Sequence, residues 1–113
     1  MIKYIWVTFQ KQGFHCYPDA AVRPDLKPVD FLQYRHRHVF HFRIDIQVFE
    51  DDREIEFIMF NDFCQSLVQQ ELDNKSCEMI AQNLYEKISQ KYPNRKLKIS
   101  VSEDNENGAI LEI

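Results

Sequence analysis

YRHRHVFHFRIDIQVF, residues 34–49, decides the fold of this chain, because its side chains alternate with a period of two over the whole stretch. A β-strand directs successive side chains to opposite faces of a sheet. The pattern therefore predicts a strand with one largely apolar face, formed by His36, His38, Phe40, Phe42, Ile44, Ile46 and Val48. The opposite face is predicted to carry Arg37, Val39, His41, Arg43, Asp45, Gln47 and Phe49.

Two imidazoles begin the apolar face, and strand geometry points both of them in the same direction. An HxH pair of this kind, His36 and His38, is how one strand supplies two of the three histidines of a zinc site. The alternative is a chance pair of half-exposed strand histidines, because two ligands do not make a site. His41 lies on the other face, where we expect a structural or partner-contact role.

The composition limits the kinds of protein that this chain can be. Its 113 residues are enough for a single domain, residues 1–113, and too few for two. The net charge is −4 and no Lys/Arg-rich block is present, so general nucleic-acid binding is not expected. No apolar run approaches the roughly 18 residues that cross a bilayer, and the N-terminus resembles a strand rather than a signal peptide. The three scattered cysteines form no CxxC motif, which favours reduced thiols and a cytoplasmic location.

The segments around the organising strand are expected to complete a sheet. Residues 2–10 alternate as a first strand, and Gly13 indicates a bulge or bend. Three prolines between residues 18 and 33 exclude a regular helix or a central strand there. Residues 54–60 alternate again and are predicted to return as a third strand, forming a hairpin with the organising strand.

The second half of the chain predicts two helices and two strands. Apolar residues at helical spacing indicate a helix over residues 61–72 with Asn61 as its N-cap, and Ser76 is expected to cap the second helix. Residues 96–103 and 109–113 are predicted strands, with an Asn-Gly hairpin turn between them. The order βββααββ predicts an α+β fold, in which both helices pack on one face of an antiparallel sheet.

This order of elements resembles the tunnelling fold (T-fold), with a histidine on the first strand, HxH opening the second and SCEMIAQNLYEKI, residues 76–88, as the second helix. The chain is similar to the superfamily of 6-pyruvoyl-tetrahydropterin synthase and 6-carboxy-tetrahydropterin synthase, and to small phage-encoded proteins within it. The resemblance covers nearly the whole chain. It implies a homo-oligomer, a trimer or a hexamer, with sites between subunits, and the host cytoplasm as the location of a phage-encoded member.

The resemblance also implies a site with a metal and a ring-shaped ligand. His15, His36 and His38 match the zinc ligands of the synthases, a donor set with an open position for water or substrate. Glu103 matches the glutamate that anchors the pterin ring. A carboxylate suits that task because its two oxygens accept from the paired N–H donors of a guanine-like edge. The alternative is that Glu103 and Asp104 are only the polar start of a hairpin turn.

The proton relay departs from the family pattern at two positions. The synthases carry a cysteine just before HxH, where this chain has FLQY, residues 31–34, so Cys16 is the nearest cysteine and the candidate base. Asp73 matches the catalytic aspartate, but Asn74 replaces the relay histidine. Asparagine does not exchange a proton near neutral pH as histidine does.

Three functions therefore stay open. The first is a zinc enzyme, a synthase-like lyase, that acts on a pterin- or purine-like ring. The second is a non-catalytic phage protein that binds or sequesters a host nucleotide, with Arg35, Arg37 and Arg43 as candidate phosphate contacts. The alternative for these arginines is a solvated or barrel-lining face. The third is a protein-interaction module in which the histidines are incidental.

Overall fold

The computed structural model describes residues 1–113 as an α+β protein with a four-stranded antiparallel sheet. The strands lie side by side in sequence order: β1 (Lys3–His15), β2 (His36–Val48), β3 (Leu97–Glu103) and β4 (Asn107–Glu112). Two helices, α1 (Phe57–Ser66) and α2 (Cys77–Lys91), separate β2 from β3. Two 3-10 segments, Pro18–Ala21 and Pro24–Gln33, separate β1 from β2.

The organising strand is confirmed as β2, and its two faces follow the predicted alternation. All the apolar-face residues from Phe40 to Val48 are buried. On the opposite face Arg43 is exposed, whereas His41 is half-buried. Asp45 departs from the pattern, because it is buried on the polar face and forms an ion pair of 3.1 Å with Arg43.

The hydrophobic core lies between the apolar face of the sheet and the two helices. The strands contribute Val7, Phe9, Phe40, Phe42, Ile44, Ile46, Val48, Leu97, Ile99 and Val101. The helices contribute Phe60 and Cys64 from α1 and Cys77, Ile80, Ala81, Leu84 and Ile88 from α2. Both helices therefore pack on one face of the sheet, as predicted, and the other face stays open.

The predicted third strand at residues 54–60 is wrong, because helix α1 begins at Phe57. The alternation of EIEFIMF covers only a few residues and does not match the residues that are buried. The buried residues of α1 are Phe60 and Cys64, which lie four residues apart on one helix face. The elements therefore follow one another as ββααββ, without the hairpin that the alternation predicts.

The N-cap of α1 is Glu56 rather than the predicted Asn61. The Glu56 carboxylate accepts the backbone N–H of Met59 at 2.7 Å, which satisfies a donor that the first helical turn leaves without a partner. The helix ends at Ser66. The prediction of a helix over residues 61–72 therefore placed both ends too late.

The hairpin between β3 and β4 turns at residues 104–106 rather than at the predicted Asn107-Gly108. Asp104 and Asn105 have φ angles of 53° and 58°, in the left-handed region that Asp and Asn enter more readily than other non-glycine residues. Gly108 lies inside β4, where a Cβ atom would collide with the backbone of β3. This glycine therefore serves close strand contact and not the turn.

Gly13 does not bend β1, which runs through it without interruption. It lies opposite His38 in the sheet, and an added Cβ atom would approach side-chain carbons of Leu72 and Phe40 to 2.7 and 2.8 Å. Packed carbon atoms stay about 3.5–4.0 Å apart, so the glycine leaves the space that these two side chains fill. The pairing of β1 with β2 stays regular through Gly13 to the end of the strand, where His15 lies opposite His36 of the HxH motif.

The second helix and the proline-rich segment follow the sequence prediction. Ser76 caps α2, and its hydroxyl accepts the backbone N–H of Met79 at 3.2 Å. Residues 18–33 contain neither an α-helix nor a strand. With 10 and 15 residues, α1 and α2 lack the length and the apolar run of a membrane-spanning helix.

An ion pair between Glu54 and Arg95 connects the loop after β2 with the segment that precedes β3. Glu54 accepts the backbone N–H groups of Phe49 and Glu50 at 2.7 and 3.1 Å. Its carboxylate also pairs with Arg95, and both side chains are only 17% exposed. The hydrogen bond from Arg95 is the largest cause that lowers the pKa of Glu54 from 4.5 to about 2.

A Glu54→Gln variant is expected to be less stable than the wild type at neutral pH. Because the folded-state pKa lies below the unfolded value, ionised Glu54 stabilises the fold above about pH 4.5, and this contribution disappears as the pH falls toward about 2. In urea unfolding, the deficit of the variant should shrink between neutral pH and about pH 3. Asp52→Asn, at a carboxylate 85% exposed, should leave the midpoint almost unchanged. A Glu54→Gln deficit that does not depend on pH would contradict this account.

Candidate metal centre

Three histidines from two strands meet at one end of the sheet. His15 ends β1 directly opposite His36, the first residue of β2, and His38 follows on the same face. One potential ligand atom of each histidine lies within 4.8 Å of those of the other two. The three ring centroids are 4.6, 5.0 and 5.2 Å apart. This cluster could hold a metal ion.

Two of these imidazoles donate a hydrogen bond to a backbone carbonyl. The Nδ1 atom of His15 lies 2.9 Å from the carbonyl oxygen of Lys75, and that of His36 lies 2.7 Å from the carbonyl oxygen of Tyr34. Because a carbonyl oxygen only accepts, each Nδ1 carries the proton and each Nε2 keeps the lone pair that binds a metal. Metal-binding histidines commonly donate their second ring N–H in this way.

His38 makes the corresponding hydrogen bond to a carboxylate. Its Nδ1 atom lies 2.7 Å from Oδ2 of Asp104, while Oδ1 of Asp104 accepts the backbone N–H of Val39 at 2.9 Å. The hydrogen bond from His38 is the largest cause that lowers the pKa of Asp104 below its usual value. Asp104 therefore stays ionised at neutral pH and accepts both bonds.

The Nε2 atom of His38 is buried and has no hydrogen-bond partner in the chain. A buried polar atom without a partner is costly and calls for an explanation, such as a bound ion. A metal ion between the three Nε2 atoms would satisfy it, and imidazole nitrogen is a common ligand of transition metals. The donor set therefore fits a metal.

A pocket of about 460 Å³ adjoins the histidines, and its wall includes His15, His36, the start of α2 and Glu103. The Glu103 side chain enters from the end of β3. Its Oε1 atom lies 3.3 Å from Nε2 of His15, and its Oε2 atom lies 3.6 Å from Nε2 of His38. The structure thus brings the predicted ring-binding carboxylate together with the predicted metal ligands.

The two candidate catalytic residues lie in different surroundings. Cys16 is half-buried and lines the pocket. Asp73 is exposed and does not line it, and its backbone carbonyl accepts the N–H of Cys16 at 2.9 Å. Asn74, the next residue, does line the pocket.

Cys77 and Asp104 are site residues that the sequence analysis missed. Cys77 is buried at the start of α2, and its Sγ atom lies 4.0 Å from Oε1 of Glu103. Burial is the largest cause that raises the pKa of this thiol to about 11, and Glu103 and Glu78 add to it. The thiol is therefore protonated at neutral pH, a weak donor to Glu103 rather than a nucleophile. Its place directly after the N-cap of α2 is the one sequence signal that pointed to it.

The candidate phosphate-binding arginines do not line this pocket. Arg35 pairs with Glu71, and Arg43 pairs with Asp45. Arg37 is exposed. In the pocket wall itself the cation is Lys75.

Among known proteins, no family model matches this chain and no curated protein matches it either. The fold and the site themselves define the class. This is a small α+β protein whose four-stranded antiparallel sheet carries a cluster of three histidines, with a ligand-sized pocket beside it.

Proposed function

We propose that this chain is a tunnelling-fold protein that binds zinc through His15, His36 and His38, and a pterin- or purine-like ring in the adjoining pocket. The observation that carries the proposal is the shared hydrogen-bonding pattern of the three imidazoles, since each Nδ1 meets an acceptor oxygen and each Nε2 remains for a metal. Three imidazole nitrogens are typical of zinc sites that keep one position for a further ligand. Bound zinc would supply a Lewis acid for a carbonyl or hydroxyl oxygen of that ligand.

The fold and the pocket support the ring-binding half of the proposal. The ββααββ order, with both helices on one face of an antiparallel sheet, is consistent with the resemblance to the tunnelling fold. A volume of about 460 Å³ lies within the range of small-molecule pockets, about 300–1,000 Å³. Glu103 and Glu78 are the two carboxylates in the wall. Glu103, which lies beside the histidines, can accept two N–H donors from one ring edge.

The pocket favours binding without turnover over the synthase reaction. The Cys77 thiol is protonated, Asn74 does not exchange protons near neutral pH, and Asp73 lies outside the pocket wall. Lys75 is the cation available to a nucleotide phosphate. A synthase-like enzyme is the second candidate, because Cys16 lines the pocket. Recovery of a bound ring unchanged after incubation supports the first candidate, and conversion that a Cys16→Ser variant abolishes supports the second.

The proposal includes assembly of identical chains. The open face of the sheet exposes large apolar side chains, with Trp6 54% and Ile110 64% accessible. Strands β1 and β4 are the two edges of the sheet. Pairing of these edges between copies would cover strands that native proteins seldom leave bare. Sedimentation velocity separates a monomer from the trimer or hexamer that we expect.

Metal content of protein purified without added metal tests the zinc site. We expect about one zinc ion per chain by elemental mass spectrometry, and its loss in His36→Ala and in His38→Ala. His41→Ala is the matched control, because this histidine belongs to the same strand and faces away from the cluster. A wild-type protein without metal, and without uptake when zinc is added, would contradict the proposal.

A further inference from the structure

Glu103 is placed over the three histidines by the register of the sheet. It ends β3, where it pairs with Phe40 of β2, so its side chain shares the face of His36 and His38. The side chain is 30% exposed, and its two oxygens face different histidines. One oxygen faces His15 and the other faces His38, at 3.3 and 3.6 Å from the Nε2 atoms.

Each of these separations, one from each carboxylate oxygen, lies near the distance between two ligand atoms of one metal ion. Zinc–nitrogen and zinc–oxygen bonds of about 2.0–2.2 Å in a tetrahedral arrangement hold two ligand atoms about 3.3–3.5 Å apart. The distance of 3.3 Å from Glu103 to His15 falls in that range, and the distance of 3.6 Å to His38 lies close to it. The carboxylate thus stands at ligand spacing from two of the three imidazoles.

These contacts are attractive only with a proton or a metal ion between the groups. Nδ1 of His15 and of His38 donates to an oxygen, so each Nε2 of a neutral ring presents a lone pair to Glu103. A carboxylate oxygen also presents lone pairs, and two acceptors at this distance repel each other. A proton or a metal ion between them makes the contact attractive. Nε2 of His38, buried and without a hydrogen-bond partner, is the atom most in need of such an ion.

We infer that Glu103 is the fourth metal ligand in the absence of a ring-shaped ligand, so that the site is closed until such a ligand displaces the carboxylate. This inference rests on the metal site of the proposed function. One carboxylate cannot hold the metal and accept from a ring edge with the same oxygens. Ring binding and opening of the coordination position are therefore one event. The protein would keep its metal inert toward small anions and expose it only to a ligand that engages Glu103.

The test uses the cobalt(II) form, whose visible spectrum reports the number and type of its ligands, and azide as the probe for an open position. We expect azide to leave the wild-type spectrum unchanged and to alter the spectrum of Glu103→Ala. We also expect Glu103→Ala to bind cobalt at least about tenfold more weakly, since even outer groups change metal affinity by that factor. Glu106→Ala, three residues away in the adjoining turn, is the matched control and should behave as the wild type.

The outcomes separate this inference from the proposed function. If azide alters the wild-type spectrum as it alters that of Glu103→Ala, the site has three histidines and an open position, and Glu103 is not a ligand. If the wild type binds no cobalt and no zinc, the metal site itself is refuted, and this inference with it. If azide leaves the wild-type spectrum unchanged and alters that of Glu103→Ala, Glu103 is the fourth ligand.

Discussion

Replacement of Phe40 by alanine is expected to destabilise the metal-free protein by about 3–5 kcal/mol. Phe40 is fully buried, and its ring meets those of His15 and His38 edge-on, with centroids 5.3 and 5.8 Å apart. The space for this ring exists because Gly13 has no side chain. Truncation therefore leaves a cavity beneath two of the candidate metal ligands, and closely packed neighbours relax only partly into such a cavity.

The same variant should also bind zinc more weakly, because the Phe40 ring supports two imidazoles from below. Guanidinium unfolding with a chelator measures stability without the metal, and zinc titration of the folded variant measures affinity. Phe57→Ala makes the same truncation at a ring that is 60% exposed, and we expect its stability to change by less than about 0.5 kcal/mol. If Phe40→Ala and Phe57→Ala lost stability and zinc affinity to a similar extent, Phe40 would not have this supporting role.

Strand β2 is predictable from sequence because its alternation extends over the whole element and separates a buried face from an open one. The structure of the segment EIEFIMF, residues 54–60, is not predictable from its pattern, because three of its apolar residues are exposed rather than buried. Phe57, Ile58 and Met59 are 60, 71 and 73% exposed on α1. A short alternating run also fits a helix that buries only one residue per turn. The burial that decides between the two comes from the sheet on which the helix packs.

The residues of the site also differ in whether local geometry or tertiary contacts determine their positions. HxH places His36 and His38 on one face by strand geometry alone. The approach of His15 depends on the pairing of β1 with β2, which nothing in the sequence near His15 specifies. Asp104 reaches His38 across 66 residues of sequence, and Cys77 reaches Glu103 across 26. Contacts of that range have no local signature, so the sequence did not predict that Asp104 contacts His38 or that Cys77 contacts Glu103.

Replacement of Asp104 by asparagine is expected to lower zinc affinity by about 10–100-fold. In the wild type one carboxylate oxygen accepts from His38 and the other accepts from Val39. Asparagine offers one oxygen and one NH2 group. If the oxygen keeps Val39, the NH2 group faces Nδ1 of His38, and the ring proton must move to Nε2, the atom that binds the metal. If the amide turns round, the backbone N–H of Val39 loses its acceptor.

This variant should fold as the wild type does, because the φ angle of 53° at Asp104 is one that asparagine adopts readily. Competition with a chelator of known affinity measures zinc binding, and circular dichroism checks the fold. Glu106→Gln removes a charge from the same turn, at a side chain that lies against the open face of the sheet, and it should bind zinc as the wild type does. Equal zinc affinity in Asp104→Asn and the wild type would mean that the Asp104 carboxylate fastens β2 to the turn without setting the tautomer of His38. The two backbone carbonyls at His15 and His36 would then be the only groups that hold Nε2 unprotonated.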